Sequence, residues 1–237
     1  MLQKIPLQNI LFLDIETVPE SETFEALSPV EKKLWEKKTA YQRKEEHTPE
    51  DFYERAGIWA EFGKIICISV GFFVIKNDTR NFRVSSFSGE ERSILQDFGA
   101  LLNDYFNGPQ HLLCGHNGKE FDFPYIARRM LIHNIKLPNK LNLFGKKPWE
   151  IPHLDTMELW RFGDYKHFTS LALLTHVLQI PTPKDDIDGS QVAAIYYQEK
   201  NLERIVRYCE KDTIAVAQVF LRLRGEPILT ADEIVSV

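Results

Sequence analysis

The chain has 237 residues, of which 43% are hydrophobic and 27% charged, with a net charge of -5 and three cysteines. That balance is ordinary for a globular protein with room for one large domain or two small ones. It excludes a protein that grips nucleic acid by bulk positive charge, although a cluster of acidic side chains in an active site would itself push the total negative. Cys67, Cys114 and Cys209 are scattered singly among apolar or helical neighbours, with no CxxC pair, which reads as buried free thiols in a reducing compartment. Pro6, Gln8, Asn9 and Asp14 interrupt any N-terminal apolar run, so no signal-peptide core is expected. The longest apolar stretch, residues 65–75, is too short to span a bilayer and contains Ser69 and Gly71. A cytoplasmic protein with no membrane contact is the resulting expectation.

Residues 10–15, ILFLDI, predict the first strand. Residues 28–55 are polar and charged, yet Trp35, Tyr41, Phe52 and Tyr53 interleave with the charges, which predicts helices with a few apolar anchors rather than disorder. A strong second strand follows over 65–75, and Asn77-Asp78 signals a turn into a third strand over 82–87. Apolar residues at 94, 95, 98, 101, 102 and 105 have helical spacing, and Gly108-Pro109 ends that helix. A short strand over 111–115, a helix over 123–133 and a loop with Pro138, Gly145 and Pro148 come next. The last part predicts a helix over 170–179, a break at Pro181-Thr182-Pro183, and helix almost throughout 189–224. Strands first, then strands and helices mixed, predict one α/β domain with a mixed central sheet flanked by helices.

The first strand carries two carboxylates, Asp14 and Glu16, and residues two apart in a strand share a face with bases about 6 to 7 Å apart. Like charges that close repel, and burial raises the cost unless a cation neutralises them. A divalent ion that prefers hard oxygen ligands is the natural partner. Two further clusters bear comparison. In Asn117-Gly118-Lys119-Glu120-Phe121-Asp122 an acid arrives just before a helix, and in Tyr208-Cys209-Glu210-Lys211-Asp212 a tyrosine and an acid lie four apart on one helical face turned to the protein body. Each acid alone has an ordinary reading as a cap or a solvated charge. The pair in the strand does not fit it.

Taken together and in this order, Asp14-Ile15-Glu16, Asn117-Gly118-x-x-Phe121-Asp122 and Tyr208-x-x-x-Asp212 resemble the three motifs of the DEDD (DnaQ-like) 3′–5′ exonucleases. The tyrosine four before the last aspartate marks the DEDDy branch, which includes the proofreading domains of DNA polymerases; the histidine of the other branch would fall at Arg207. Within that branch the sequence is similar to the predicted 3′–5′ exonucleases related to the proofreading domain of family-B polymerases. The likeness runs from Leu11 to about Leu223, and the 14 residues beyond leave no room for a polymerase palm. Residues 1–237 are therefore expected to form a single exonuclease domain with a helical insertion at 28–55.

The resemblance implies a ribonuclease H-like fold and a site for two Mg²⁺ or Mn²⁺ ions. Asp14 would bridge both ions, Glu16 and Asp212 would hold the one carrying the attacking water, and Asp122 would hold the other. Tyr208 would orient that water rather than deprotonate it, because a phenol with an ordinary pKa near 10 is a poor base at neutral pH. The expected activity is release of nucleoside 5′-monophosphates from a single-stranded 3′ end, with DNA preferred and DNA repair as a setting. An exoribonuclease on the same site and a catalytically silent nucleic-acid-binding domain are the alternatives. Asn117 and Phe121 are the candidate substrate contacts, and Lys119, Arg128, Arg129, Lys146 and Lys147 could steer phosphates. Phe123 and Tyr125 read as core, His116 as structural, and Asp155 in His153-Leu154-Asp155 as a turn or supporting residue rather than a ligand. The acidic run 184–189 reads as a solvated loop, since it lacks the twelve-residue calcium-loop pattern.

Overall fold

The computed structural model describes residues 2–43, 47–77, 79–164, 166–181 and 187–237. Its centre is β1 (Ile10–Pro19), flanked on one side by β2 (Gly63–Lys76) and β3 (Thr79–Ser88), and on the other by β4 (Leu112–Gly115) and β5 (Leu154–Asp155). A last strand, β6 (Ile234–Ser236), pairs with β3, giving the order β5-β4-β1-β2-β3-β6. The β1/β2 and β2/β3 pairs are antiparallel, while β1/β4, β4/β5 and β3/β6 are parallel, so the sheet is mixed as the sequence predicts.

Alternation along β1 splits the core into two layers. Leu11, Leu13 and Ile15 face α2 (Glu91–Tyr105) and α3 (Asp122–Ile132), packing with Leu95, Phe98, Phe123 and Ile126. Ile10 and Phe12 face the opposite way, toward Val216, Phe220 and Leu221 of α7 (Leu202–Arg224). Phe12 meets Phe73, Phe82 and Phe220 edge-on at ring centroid distances of 5.7, 5.8 and 5.6 Å, an arrangement that adds to simple burial. Gly71 stands opposite Phe12, and a Cβ there would sit 2.2 Å from the Phe82 ring, so only glycine leaves that ring its place.

The register between β1 and β2 slips between Glu16 and Thr17: Glu16 faces Cys67, but Thr17 faces Ile65. The extra residue, Ile66, is a bulge that lets Ile65 and Ile68 share the α2/α3 side while Ile66 turns to the other. It falls where β1 carries its second acid.

The predicted hairpin and the helices over 93–106, 123–133 and 170–179 are present within a few residues, the last as α5 (Leu171–Val177). The predicted helix over 189–224 is a correction. It is two pieces: α6 (Val192–Ala194), which continues as a π-helical turn Ile195–Glu199, and then α7. Lys200 is left-handed with φ 53°, and Asn201 caps α7 by accepting from the Arg204 N–H. An asparagine before a fresh amphipathic run is a helix start, and it outweighs the helical propensity on either side. β5, α4 (Thr156–Arg161) and β6 have too few residues for the sequence to show a period.

Within 28–55, α1 (Pro29–Thr39) starts with a capping box between Ser28 and Glu31. Trp35 is fully buried among Tyr53, Trp59 and Phe62 at 5.3, 5.3 and 5.1 Å, and its indole N–H donates to the Pro49 carbonyl. Asp78 of the predicted turn, Thr182 and Pro183 of the predicted break, and Lys184, Asp185 and Asp186 of the acidic run lie outside the described residues.

Candidate active site

Three elements bring four acids to one place. Asp14 and Glu16 project from β1 on the α7 side, Asp122 opens α3, and Asp212 stands on α7 one turn after Tyr208. Their charges act on one another. The Asp14 carboxyl is pushed far above the ordinary range by burial first, then by Asp122, Asp212 and Glu16. Burial and then Asp212 do the same to Glu16, which is 8% exposed. Asp122 is pushed up to about 7, chiefly by burial, although hydrogen bonds from its own backbone and from the Ile15 N–H oppose the rise. Its α3 has no side-chain cap, so the ordinary reading of Asp122 as a helix cap does not hold.

Tyr208 is half-buried, and its hydroxyl is hydrogen-bonded to Asp212. Burial, then Asp212, Glu16 and Asp14, push the phenol far above its ordinary value. It stays neutral and donates. Cys209, which the sequence marked only as a buried thiol, donates from its sulfur to both the backbone and the side-chain oxygen of Asp14, each at 3.4 Å. Its position beside Tyr208 was the available signal. The Asp14, Glu16 and Cys209 ligand atoms lie within 4.8 Å of one another. Hard carboxylate oxygens, gathered where burial and mutual repulsion penalise their charge, form a donor set that fits divalent cations.

Asp155 does support work, as expected. One oxygen accepts from the Asn117, Met157 and Glu158 N–H groups and the other from the Lys119 N–H, so one carboxylate caps α4 and clamps the loop ahead of α3. Asn117 takes a left-handed φ of 63°, which asparagine tolerates. The residue lines a 270 Å³ cavity with Lys119, Pro148 and Arg161, apart from Asp14, Glu16, Asp122 and Asp212, and its own Oδ1 is buried. Phe121 instead lines a 660 Å³ cleft with Glu16 and Thr17. The two candidate substrate residues thus face different spaces. His116 is structural, its ring bonded to the Thr156 hydroxyl and the Thr169 carbonyl. Phe123 and Tyr125 are core.

The steering cations need one correction. Arg129 is 3% exposed and binds Glu91, Glu20 and the Ala60 carbonyl, so it ties α3 to α2 and to the end of β1. Arg129 stands four residues after Tyr125 and three after Ile126, on the apolar face of α3, which was a sign of that burial. Lys119 is paired with Glu158 at 2.6 Å. Arg128, Lys146 and Lys147 are exposed.

The family described as "Predicted 3'-5' exonuclease related to the exonuclease domain of PolB" matches residues 58–228. The chain belongs to this family. A DNA polymerase of Pyrococcus glycovorans is 24% identical over 161 residues, covering 58% of this chain and 20% of the polymerase. The family B DNA polymerase of Pyrobaculum calidifontis superposes with a TM-score of 0.54 at 15% identity, over 90% of this chain and 24% of that one. The chain thus spans about a fifth to a quarter of the polymerases it resembles. That superposition supports the ribonuclease H-like fold. Among the described residues no helix is long and apolar enough to cross a membrane. In this predicted exonuclease most of the segment 24–62 precedes the matched region, and it nonetheless supplies Glu54, Arg55, Gly57 and Ile58 to the cleft beside Glu16.

Proposed function

We propose that the protein is a DEDDy-type, metal-dependent 3′–5′ exonuclease that removes nucleoside 5′-monophosphates from single-stranded DNA. One observation carries this reading: Asp14, Glu16, Asp122 and Asp212 converge from three separate elements onto one electrostatically coupled site, with the Tyr208 hydroxyl bonded to the last of them. A fold needs no such cluster for stability, and four uncompensated carboxylates work against it. The choice of DNA leans on the polymerases to which the chain is similar. We read residues 1–237 as one catalytic domain, with 28–55 as an insertion in it, acting in the cytoplasm; Cys67, Cys114 and Cys209 are all free thiols.

In this mechanism Asp14, Glu16, Asp122 and Asp212 would hold two Mg²⁺ or Mn²⁺ ions. Such a pair, when bound, supplies an activated water and stabilises the attacking and leaving oxygens of a phosphodiester. The chain's own part is to fix positions. β1 sets Asp14 and Glu16 on one face, and the Cys209 sulfhydryl hydrogen-bonds one Asp14 oxygen. Neutral Tyr208, hydrogen-bonded to Asp212, would orient a water nucleophile without taking its proton. Phe121 would offer a ring to the terminal base from the cleft wall, and Asn117 would be a second substrate contact, from the separate cavity it lines.

The deciding experiment is digestion of end-labelled single-stranded DNA and RNA of matched sequence in Mg²⁺, Mn²⁺ and chelator. Stepwise loss of mononucleotides from the DNA 3′ end, abolished by chelator, is the expected result. Faster loss from RNA makes the enzyme an exoribonuclease. Binding without cleavage in either metal makes it a silent nucleic-acid-binding domain.

A further inference from the structure

The 660 Å³ cleft beside Glu16 has walls of different origin. β1 provides Ile15, Glu16, Thr17 and Pro19, and Phe121 stands next to them. Glu54, Arg55, Gly57 and Ile58 form the wall contributed by the 24–62 segment. Arg55 is the one cation among the described residues that line the cleft, which otherwise carries Glu16 and Glu54. Its guanidinium lies 5.2 Å from the centre of the Phe52 ring, and among the described residues no carboxylate pairs with it. Stacking of this kind steadies the planar group while leaving its N–H edge for an anion, which suits bidentate capture of phosphate oxygens.

The position of Arg55 relative to the acids is fixed by covalent and steric means. Two residues on, the Gly57 carbonyl accepts from the Thr17 hydroxyl and from the Tyr125 hydroxyl, each at 2.8 Å. A Cβ on Gly57 would lie 3.1 Å from the Val18 carbonyl carbon and 3.2 Å from its Cα, so backbone meets backbone here. The turn that carries Arg55 is thereby fastened to the strand that carries Glu16. Behind it Phe52 and Tyr53 are anchored against Trp35.

We propose that Arg55 is a phosphate-binding residue for a single-stranded nucleic acid entering this cleft, and that the segment 24–62 is a substrate-binding wall. This rests on the exonuclease reading. A polyanion approaching four acids meets repulsion, and a fixed guanidinium on the facing wall offsets it at a defined point along the strand. Ile58, 46% exposed, shares the cleft with Phe121, so an apolar surface and a ring are both available to the base next to the captured phosphate.

The test uses the full chain and a short fluorescent oligothymidylate, with binding measured in Ca²⁺ over a salt series and cleavage measured separately in Mg²⁺ or Mn²⁺. Arg55→Ala should weaken binding about tenfold and flatten the slope of log affinity against log salt by about 0.7, the contribution of one single-strand phosphate contact. Arg55→Lys should restore the slope but not the full affinity, because an ammonium lacks the planar fork. Lys136→Ala removes an exposed charge beyond the far end of α3 and should alter neither quantity. Melting temperatures should stay level across the three variants, and the cleavage defect of Arg55→Ala should sit in KM. An unchanged salt slope, or an affinity loss matched by a drop in melting temperature, overturns the proposal while wild-type cleavage keeps the exonuclease reading intact. A wild-type chain that neither binds nor cleaves the oligonucleotide removes both.

Discussion

On the sheet side of the cleft, Asp14 and Glu16 are carboxylates pressed against an apolar core. On the facing side, the described residues of the segment over 24–62 pack Phe24, Phe52, Tyr53, Trp59 and Phe62 around Trp35, whereas Tyr41, expected from the sequence as an anchor, is 77% exposed. The first region stores unfavourable electrostatics that burial in a large sheet core can carry, because Leu11, Leu13 and Phe12 flank the acids with fully buried side chains. The second stores little of either sign and relies on a small aromatic cluster for its shape. Perturbing metal or pH should therefore act on the first wall, and deleting a ring should act on the second. The contrast separates a chemical surface from a shaping one.

The largest effect should come from Asp14→Asn, which removes the carboxylate that three other acids act on. Activity should fall by more than about 10³-fold, beyond what losing a single transition-state hydrogen-bond donor costs. The metal-free variant should melt no lower than wild type, since one repelling charge is gone. A folded Asp14→Asn chain that digests DNA at near the wild-type rate would break the assignment of this wall.

Next comes Trp35→Ala on the opposite wall. Loss of a buried indole costs about 3 to 5 kcal/mol. If the walls are as distinct as the packing indicates, the variant loses substrate affinity through a disordered cleft, while Mg²⁺ or Mn²⁺ still raises its melting temperature by mass action. Disappearance of the metal response in thermal unfolding would mean that the two walls are not separable.

Tyr208→Phe is a finer cut within the acidic wall. The ring keeps its packing and only a hydroxyl bonded to Asp212 is lost. Single-turnover cleavage should slow by about 10- to 1000-fold, with the loss in kcat and little change in KM. A defect explained wholly by weaker binding would take Tyr208 out of the mechanism.

The smallest effect is on stability against pH, and its sign follows from the raised carboxyls. The folded protein holds a proton on Asp122 up to about 7, whereas the unfolded chain releases it near the ordinary value of 3.8. Stability from this group is therefore fully present below the unfolded value and is lost as pH rises through the folded one. Asp14 and Glu16 act in the same direction. Metal-free protein should lose on the order of 2 kcal/mol between pH 5 and pH 8, and divalent ions should flatten that slope. A metal-free melting temperature that climbs with pH across this window would contradict the buried, coupled state of the acids.

The segment behind Arg55 shows the limit of a local sequence pattern. Interleaved charges and rings over 28–55 announced helices with anchors, but Trp35, Tyr53, Trp59 and Phe62 meet only after the chain turns back on itself, and no local period encodes that return. The same limit hid the cleft role of Arg55 and the donation from Cys209 to Asp14, each a contact between residues far apart in the chain. The burial of Arg129 is completed by Glu91 and Glu20, which lie on other elements and leave no local sign of themselves beside it.

What the sequence determined by itself was whatever local chemistry makes costly to place by accident. Two acids in an apolar strand, an acid opening a helix, and a tyrosine one turn before an acid each restrict their own neighbourhood, so β1, the β2/β3 hairpin and the grouping of Asp14, Glu16, Asp122, Tyr208 and Asp212 were legible, while Cys209 was not. Tertiary structure alone decided what depends on register and return. The bulge at Ile66 sets which β2 side chains lie beside Glu16, and the left-handed Lys200 ends one helix so that Asn201 can start α7. The Gly57 carbonyl, held by Thr17 and Tyr125, fastens the turn after Arg55 to the strand that bears the acids. The physical reason is the same in each case. A pattern along the chain fixes which face a side chain presents, but its partner across the sheet or cleft is chosen by packing that brings distant segments together.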